Sequence, residues 1–295
     1  MGKLVMTENP ELKTLMESAW DIRLRNFGTD ITWINPVRTA VFSVTGKVCG
    51  VNCAHCGGKY LEHMIPIEQW QDFNSSDICS CLVSGGCDRS GRVPVEKHIH
   101  IFSELSKNWR LNMHLGLISE DAVKKIAPYC HVVSFDFVVD DRTIRDVYGF
   151  PASGQDFIRT YCMLRQYVNV IPHICIGLHG GELSGELNAI HTLADIGADA
   201  IVFIVFIPTP GTAYENRTPP SVESVVHIIS TARCLFPHTP IHLGCMRPHG
   251  RYRQALDPMA VKAGVNRIVI PAQSARVKAL ELGLDALWKE ECCAL

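Results

Sequence analysis

Three cysteines, Cys49, Cys53 and Cys56, are separated by three and then two residues in the stretch Cys49-Gly50-Val51-Asn52-Cys53-Ala54-His55-Cys56. Thiols this close in sequence can meet at one metal centre only if the backbone wraps around it. Gly46, Gly50, Gly57 and Gly58 supply that freedom, since glycine reaches positive φ without steric cost. Thiolates ligate iron–sulfur clusters, which usually take four cysteines, so a local set of three leaves one iron open to an outside ligand. Zinc is the other reading, with His55 or His63 as the fourth donor, but zinc sites usually pair two Cys-x2-Cys arms and no clean second arm is found here.

These residues need elements to position them. A strand-like run, Thr39 to Thr45, leads directly into the cysteine stretch. Ahead of it, Leu12, Leu15, Met16, Ala19 and Trp20 repeat at helical spacing, with Asn9-Pro10 as cap and first residue and Gly28 as the stop. Strand-like runs then fall at 40–44, 78–84, 111–117, 132–139, 168–178, 200–207, 240–243 and 267–270. Amphipathic stretches lie between them, and Asp257-Pro258 reads as a helix start. Apolar runs as continuous as Ala200 to Ile207 suit parallel strands covered on both faces. The pattern predicts an α/β fold: a complete (β/α)8 barrel of the TIM type over 39–283, with chemistry at the strand C-terminal ends. Residues 1–38 form a helical extension, and 284–295 a cysteine-bearing tail laid over the barrel mouth.

Several residues then fall just beyond strands. Ser84-Gly85-Gly86 lets a ligand approach the backbone, whose free N–H and C=O groups can bind a zwitterionic amino acid. Asp136 is a carboxylate in an apolar strand, costly unless it is paired or faces a ligand. Arg247 can hold a carboxylate or a sulfur-rich centre. Cys87 and Cys245 stand at the expected mouth, and a tail closing over it would bring Cys292 and Cys293 to them as four ligands of an auxiliary [4Fe–4S] cluster. Cys79 and Cys81, on one strand face, compete for that role. Lone histidines in strands, such as His114 and His173, read as structural.

Composition narrows the class. The chain of 295 residues is 47% hydrophobic and 20% charged, ample for a core. A net charge of −2 lacks the basic footprint that nucleic acid demands. No apolar run suffices for a membrane span, and the opening residues are too polar for a secretory signal. Thirteen cysteines then read as reduced, intracellular thiols, with a cytoplasmic location expected.

Cys-x3-Cys-x2-Cys after a first strand resembles the signature of radical S-adenosylmethionine (radical SAM) enzymes, with His55 where an aromatic residue is usual. Pro208-Thr209-Pro210-Gly211-Thr212 and Leu243-Gly244-Cys245-Met246-Arg247-Pro248 resemble elements of its biotin synthase-like branch. Within that branch the chain looks most like a subunit of the two-protein lipoyl synthase of archaeal type. The resemblance implies a [4Fe–4S] cluster on Cys49, Cys53 and Cys56 and bound S-adenosylmethionine. His55, Ser84, Gly85, Gly86, Asp136, Gly177 and Pro208 are the expected contacts, Asp136 at the ribose and Gly177 in the segment along adenine. It implies sulfur insertion into a protein-bound octanoyl chain. The expected partners are an octanoylated lipoyl carrier protein, a second radical SAM subunit and an electron donor such as ferredoxin or flavodoxin. A methylornithine synthase-like mutase, a hydrogenase maturation-like enzyme and a noncatalytic metal-binding module are the other readings.

Overall fold

The computed structural model describes residues 9–73 and 77–295. Its frame is a single sheet of eleven parallel strands: β1 (Asp30–Ile34), β2 (Thr39–Ser43), β3 (Ile65–Pro66), β4 (Ser80–Ser84), β5 (Arg110–Met113), β6 (Val132–Asp136), β7 (Val170–Ile176), β8 (Ile201–Val205), β9 (Ile241–Leu243), β10 (Arg267–Val269) and β11 (Asp285–Lys289). Strands β2 and β4 to β10 are the eight runs expected from apolar patterning. Helices cover the outer face: α1 (Pro10–Phe27), α2 (Ile99–Leu105), α3 (Glu120–Ile126), α4 (Asp141–Thr143), α5 (Gly154–Leu164), α6 (Glu186–Ile196), α7 (Val222–Leu235), α8 (Arg251–Lys262) and α9 (Gln273–Glu281). None is long and apolar enough to cross a membrane.

The sheet order is β11-β1-β10-β9-β8-β7-β6-β5-β4-β2-β3, a curled and open sheet where a complete barrel was expected. The reason lies in β1. It pairs with β10 on one side and β11 on the other, while the far side of β2 carries the short β3, so β1 and β2 never pair and the ring stays open. The irregular segment after β11 crosses the seam instead, where Asn35 N–H donates to Lys289 O (2.9 Å) and Arg38 N–H to Glu290 O (3.0 Å).

Helix α1 forms as its sequence dictates. Asn9 Oδ1 accepts from the amides of Glu11 and Leu12, and Gly28 at φ +59° ends the helix with its N–H on Leu24 O. Leu12, Met16, Ala19 and Arg23 turn inward against α7. Asp257-Pro258, read as a helix start, lies inside α8. Proline there removes the amide that would bond the Gln254 carbonyl. Ser274 Oγ, from α9, donates to that carbonyl at 2.7 Å, which makes the interior proline tolerable.

Residues 290–295 also correct an expectation. They lie at the strand starts, opposite the mouth: Glu291 pairs with Arg110 at the start of β5, and Cys292 N–H donates to Thr39 Oγ1 at the start of β2 (3.0 Å). The closing segment is a stopper beneath the lumen, not a cover over its mouth.

Candidate metal centre and lumen

The loop between β2 and β3 carries Cys49, Cys53 and Cys56. It turns on Gly57 and Gly58, at φ +50° and +75°, where a side chain would be strained. Cys53 O accepts from Gly57 N–H (2.9 Å), folding the loop back on itself. Two neighbours fasten it: Ala54 N–H donates to Val147 O (2.7 Å), and Tyr214 N–H donates to Ala54 O (3.0 Å).

Ligand atoms of Cys53, His55 and Cys56 lie within 4.8 Å of one another. The Cys53 thiol donates to Cys56, which holds the Cys56 pKa down to about 4 and drives that of Cys53 upward. His55 Nδ1 is buried with no partner, its ring edge-on to Tyr148 and Tyr60. An orphaned nitrogen beside the Cys53 and Cys56 thiols is an arrangement that a metal centre would complete, while Cys49, on the same loop, lies outside that group with its thiol turned to Cys87 O.

The loop after β4 lies against this one. A Cβ on Gly86 would stand 2.1 Å from Val48 O, so only glycine lets the two backbones touch. Gly86 N–H donates to Thr45 Oγ1 (2.7 Å) and Ser84 O accepts from Val44 N–H (2.8 Å). These two groups hold the loops together and are not free for a ligand; Gly85 packs against Val44 beside them. Cys87 O accepts from Gly50 N–H, and burial, with the Cys49 sulfur nearby, pushes the Cys87 thiol up to about 12.

Asp136 ends β6. It keeps accessible surface although protein surrounds it, so it faces the lumen, near His173, His55 and Cys56. Burial raises its pKa. Pro208 lies in the loop after β8, which reaches the cysteine loop through Thr209, 3.1 Å from the Tyr60 hydroxyl, and through Thr212 beside Gly57.

Two expected site residues are structural. Gly177 N–H donates to Glu186 Oε1 (2.8 Å) and its carbonyl accepts from Gly181 (2.7 Å), so both backbone groups are committed to the turn. Arg247 is fully buried and bonded through all three nitrogens, to both Asp257 oxygens (2.8 and 2.7 Å), Gly244 O and Ile270 O. It is a strut between β9 and α8 with no face toward a substrate.

The four proposed auxiliary ligands do not gather as a set. Cys87 stays with Cys49 at the mouth. Cys245 faces the lumen, its thiol raised by burial and by the neighbouring Cys292. Cys292 and Cys293 occupy the closed end, where the Cys293 thiol, then the Ala294 amide and Asn112, hold Cys292 down to about 6. Of the competitors, Cys81 is buried packing and Cys79 sits near Glu291 at the start of β4.

The lumen also holds three histidines whose place was not foreseen. His114 and His173 have ring centres 6.0 Å apart, and His242 lies near His173. Burial lowers the pKa of all three, the first two to about 4. The available signal was phase: His242 sits between Ile241 and Leu243, a polar residue on the inward beat of an apolar strand.

No family model matches the chain. It is 18% identical to the biotin synthase of Campylobacter hominis over 264 residues, 80% of this chain and 76% of that protein. Among solved structures, methylornithine synthase superposes with a TM-score of 0.67 at 15% identity, covering 96% of this chain and 91% of that one. The [FeFe]-hydrogenase maturase HydG of Carboxydothermus hydrogenoformans gives 0.72 at 14% identity, covering 96% and 73%. The structural likenesses show a shared fold.

Proposed function

We propose that this chain is a radical SAM enzyme that acts on a substrate reaching into its lumen. The observation carrying this reading is the placement of Cys49, Cys53 and Cys56, with the orphaned His55 nitrogen, on a glycine-turned loop at the strand-end mouth. The residues fit a [4Fe–4S] cluster, whose chemistry with S-adenosylmethionine would supply a 5′-deoxyadenosyl radical. The chain's own part is to bind and orient. The three thiols hold the cluster, and the fastened loops after β4 and β8 fix its position. Asp136, inward at the end of β6, is placed to bind hydroxyl groups of a ligand lying across the mouth. Tyr148, edge-on to His55 and stacked on Phe150, forms the aromatic wall beside that region.

Within this reading we place sulfur insertion into a protein-bound octanoyl chain, with a carrier protein, a second radical SAM subunit and a ferredoxin or flavodoxin as partners. Its support is a further thiol, Cys245, that keeps accessible surface near Cys292. The second reading, a one-cluster mutase or maturase, is favoured by the near-complete coverage of methylornithine synthase.

The test is anaerobic reconstitution with iron and sulfide, followed by reductant and S-adenosylmethionine. Production of 5′-deoxyadenosine by the intact chain, lost in Cys53→Ala, is the expected result. A colourless protein holding zinc alone and making no 5′-deoxyadenosine overturns it.

A further inference from the structure

Strand β11 is the last of the sheet on its side. It pairs with β1, and among the described residues no strand lies against its other edge. The phase of the ladder shows which backbone groups are already used. Asp285 N–H donates to Thr29 O and Lys289 O accepts from Asn35 N–H, both at 2.9 Å and both toward β1. Backbone direction alternates along a strand, so Asp285, Leu287 and Lys289 face β1 while Ala286 and Trp288 turn their N–H and C=O groups outward.

A free edge is a template for another strand, and proteins usually guard it with charge, proline or a bulge. The centre of β11, Ala286-Leu287-Trp288, carries no charge and no proline. Leu287 is 61% exposed and Trp288 49%. Helix α9 lies beside them, with Arg276 over the Trp288 ring (5.6 Å to its centre), and adds Val277 and Leu280 as exposed apolar side chains one turn apart. Charge stands only at the two ends of the strand, negative at Asp285 and positive at Lys289.

That order is complementary to itself. Laid antiparallel against a second β11 with Leu287 at the centre, Ala286 comes opposite Trp288, and both have free outward backbone groups. Each such pair exchanges two N–H···O bonds. Leu287 meets its own counterpart as a non-hydrogen-bonded pair, where side chains approach most closely. Asp285 comes opposite Lys289 at both ends, and opposite charges in that position are favourable. A slip of two residues keeps the outward groups in phase but takes Asp285 away from Lys289.

We propose that β11 is the interface of a symmetric dimer, two copies of this chain joined edge to edge in that register so that the sheet runs on from one to the other. The two-fold axis reverses strand direction, so the two cysteine loops, at strand C-terminal ends, point opposite ways and neither copy covers the other's mouth. No residue of the first site, at Cys49, Cys53 and Cys56, takes part, and the dimer stands or falls apart from the radical SAM reading.

The experiment is sedimentation equilibrium of the full, iron-loaded chain from about 1 to 100 µM. A monomer–dimer equilibrium is expected. Ala286→Pro removes an outward N–H that β1 does not use, and proline is tolerated on an edge strand, so this variant should be monomeric with unchanged far-ultraviolet circular dichroism. Lys289→Glu sets like charges against Asp285 at both ends and should weaken the dimer by about tenfold, and adding Asp285→Lys should restore it. A parent chain that stays monomeric throughout overturns the proposal. So does a dimer that either single variant leaves intact, or one that the added Asp285→Lys fails to restore.

Discussion

At the scale of single residues, the structure separates groups that hold the protein from groups that face its interior. Arg247 and Asp257 are the clearest of the first kind, a fully buried bidentate pair. Removing one partner of such a pair strands the other's charge. Asp257→Asn should therefore cost about 3–5 kcal/mol, read as a lowered urea midpoint. An unchanged midpoint would mean that Arg247 finds other partners. Asp136 is of the second kind: Asp136→Asn should weaken S-adenosylmethionine binding while leaving the urea midpoint within about 0.5 kcal/mol of the parent. The sequence distinguished these two poorly. A charged residue beside an apolar strand looks alike whether its partner is a ligand or another side chain, and Asp257 lies ten positions from Arg247 on a different element.

At the scale of elements, the loops around the mouth touch backbone to backbone. Gly86→Ala would put a methyl group 2.1 Å from Val48 O, beside Cys49. That loop must move, so the variant should lose most of its first-site iron while its far-ultraviolet circular dichroism stays unchanged. Full iron retention would show that the loops yield without disturbing the cysteines. The eight inner strands were legible because each is a short apolar run ending in small or polar residues. β11 was not: all five of its residues are exposed, and its pairing with β1 joins segments about 250 residues apart. No local pattern records such a partnership. The interior proline of α8 was misread for a similar reason, since the hydroxyl that compensates it belongs to Ser274 on another helix.

At the scale of the whole molecule, the lumen carries uncharged histidines. His114 and His173 are drawn down to about 4, and His242 falls well below its ordinary value, all by burial. In the unfolded chain each would titrate near 6.5. The unfolded state thus takes up protons that the native state refuses, so stability is full above about pH 6.5 and falls as pH drops toward 4. Asp136, whose pKa is raised by burial, works in the opposite sense. Urea midpoints between neutral pH and pH 4.5 should show the decline, and His173→Gln should flatten it. An equal slope in that variant would assign the acid sensitivity elsewhere.

The stopper formed by residues 290–295 has a consequence for traffic. A tube open at both ends could be threaded, with cargo entering at one end and leaving at the other. A flask can only be dipped into. On the proposed reading, a substrate would go in tip first and withdraw by the same side, past Cys49, Cys53 and Cys56. A long flexible tether presented by another protein meets that demand, because its anchor never needs to enter. A compact free molecule has to turn and depart before the next arrives.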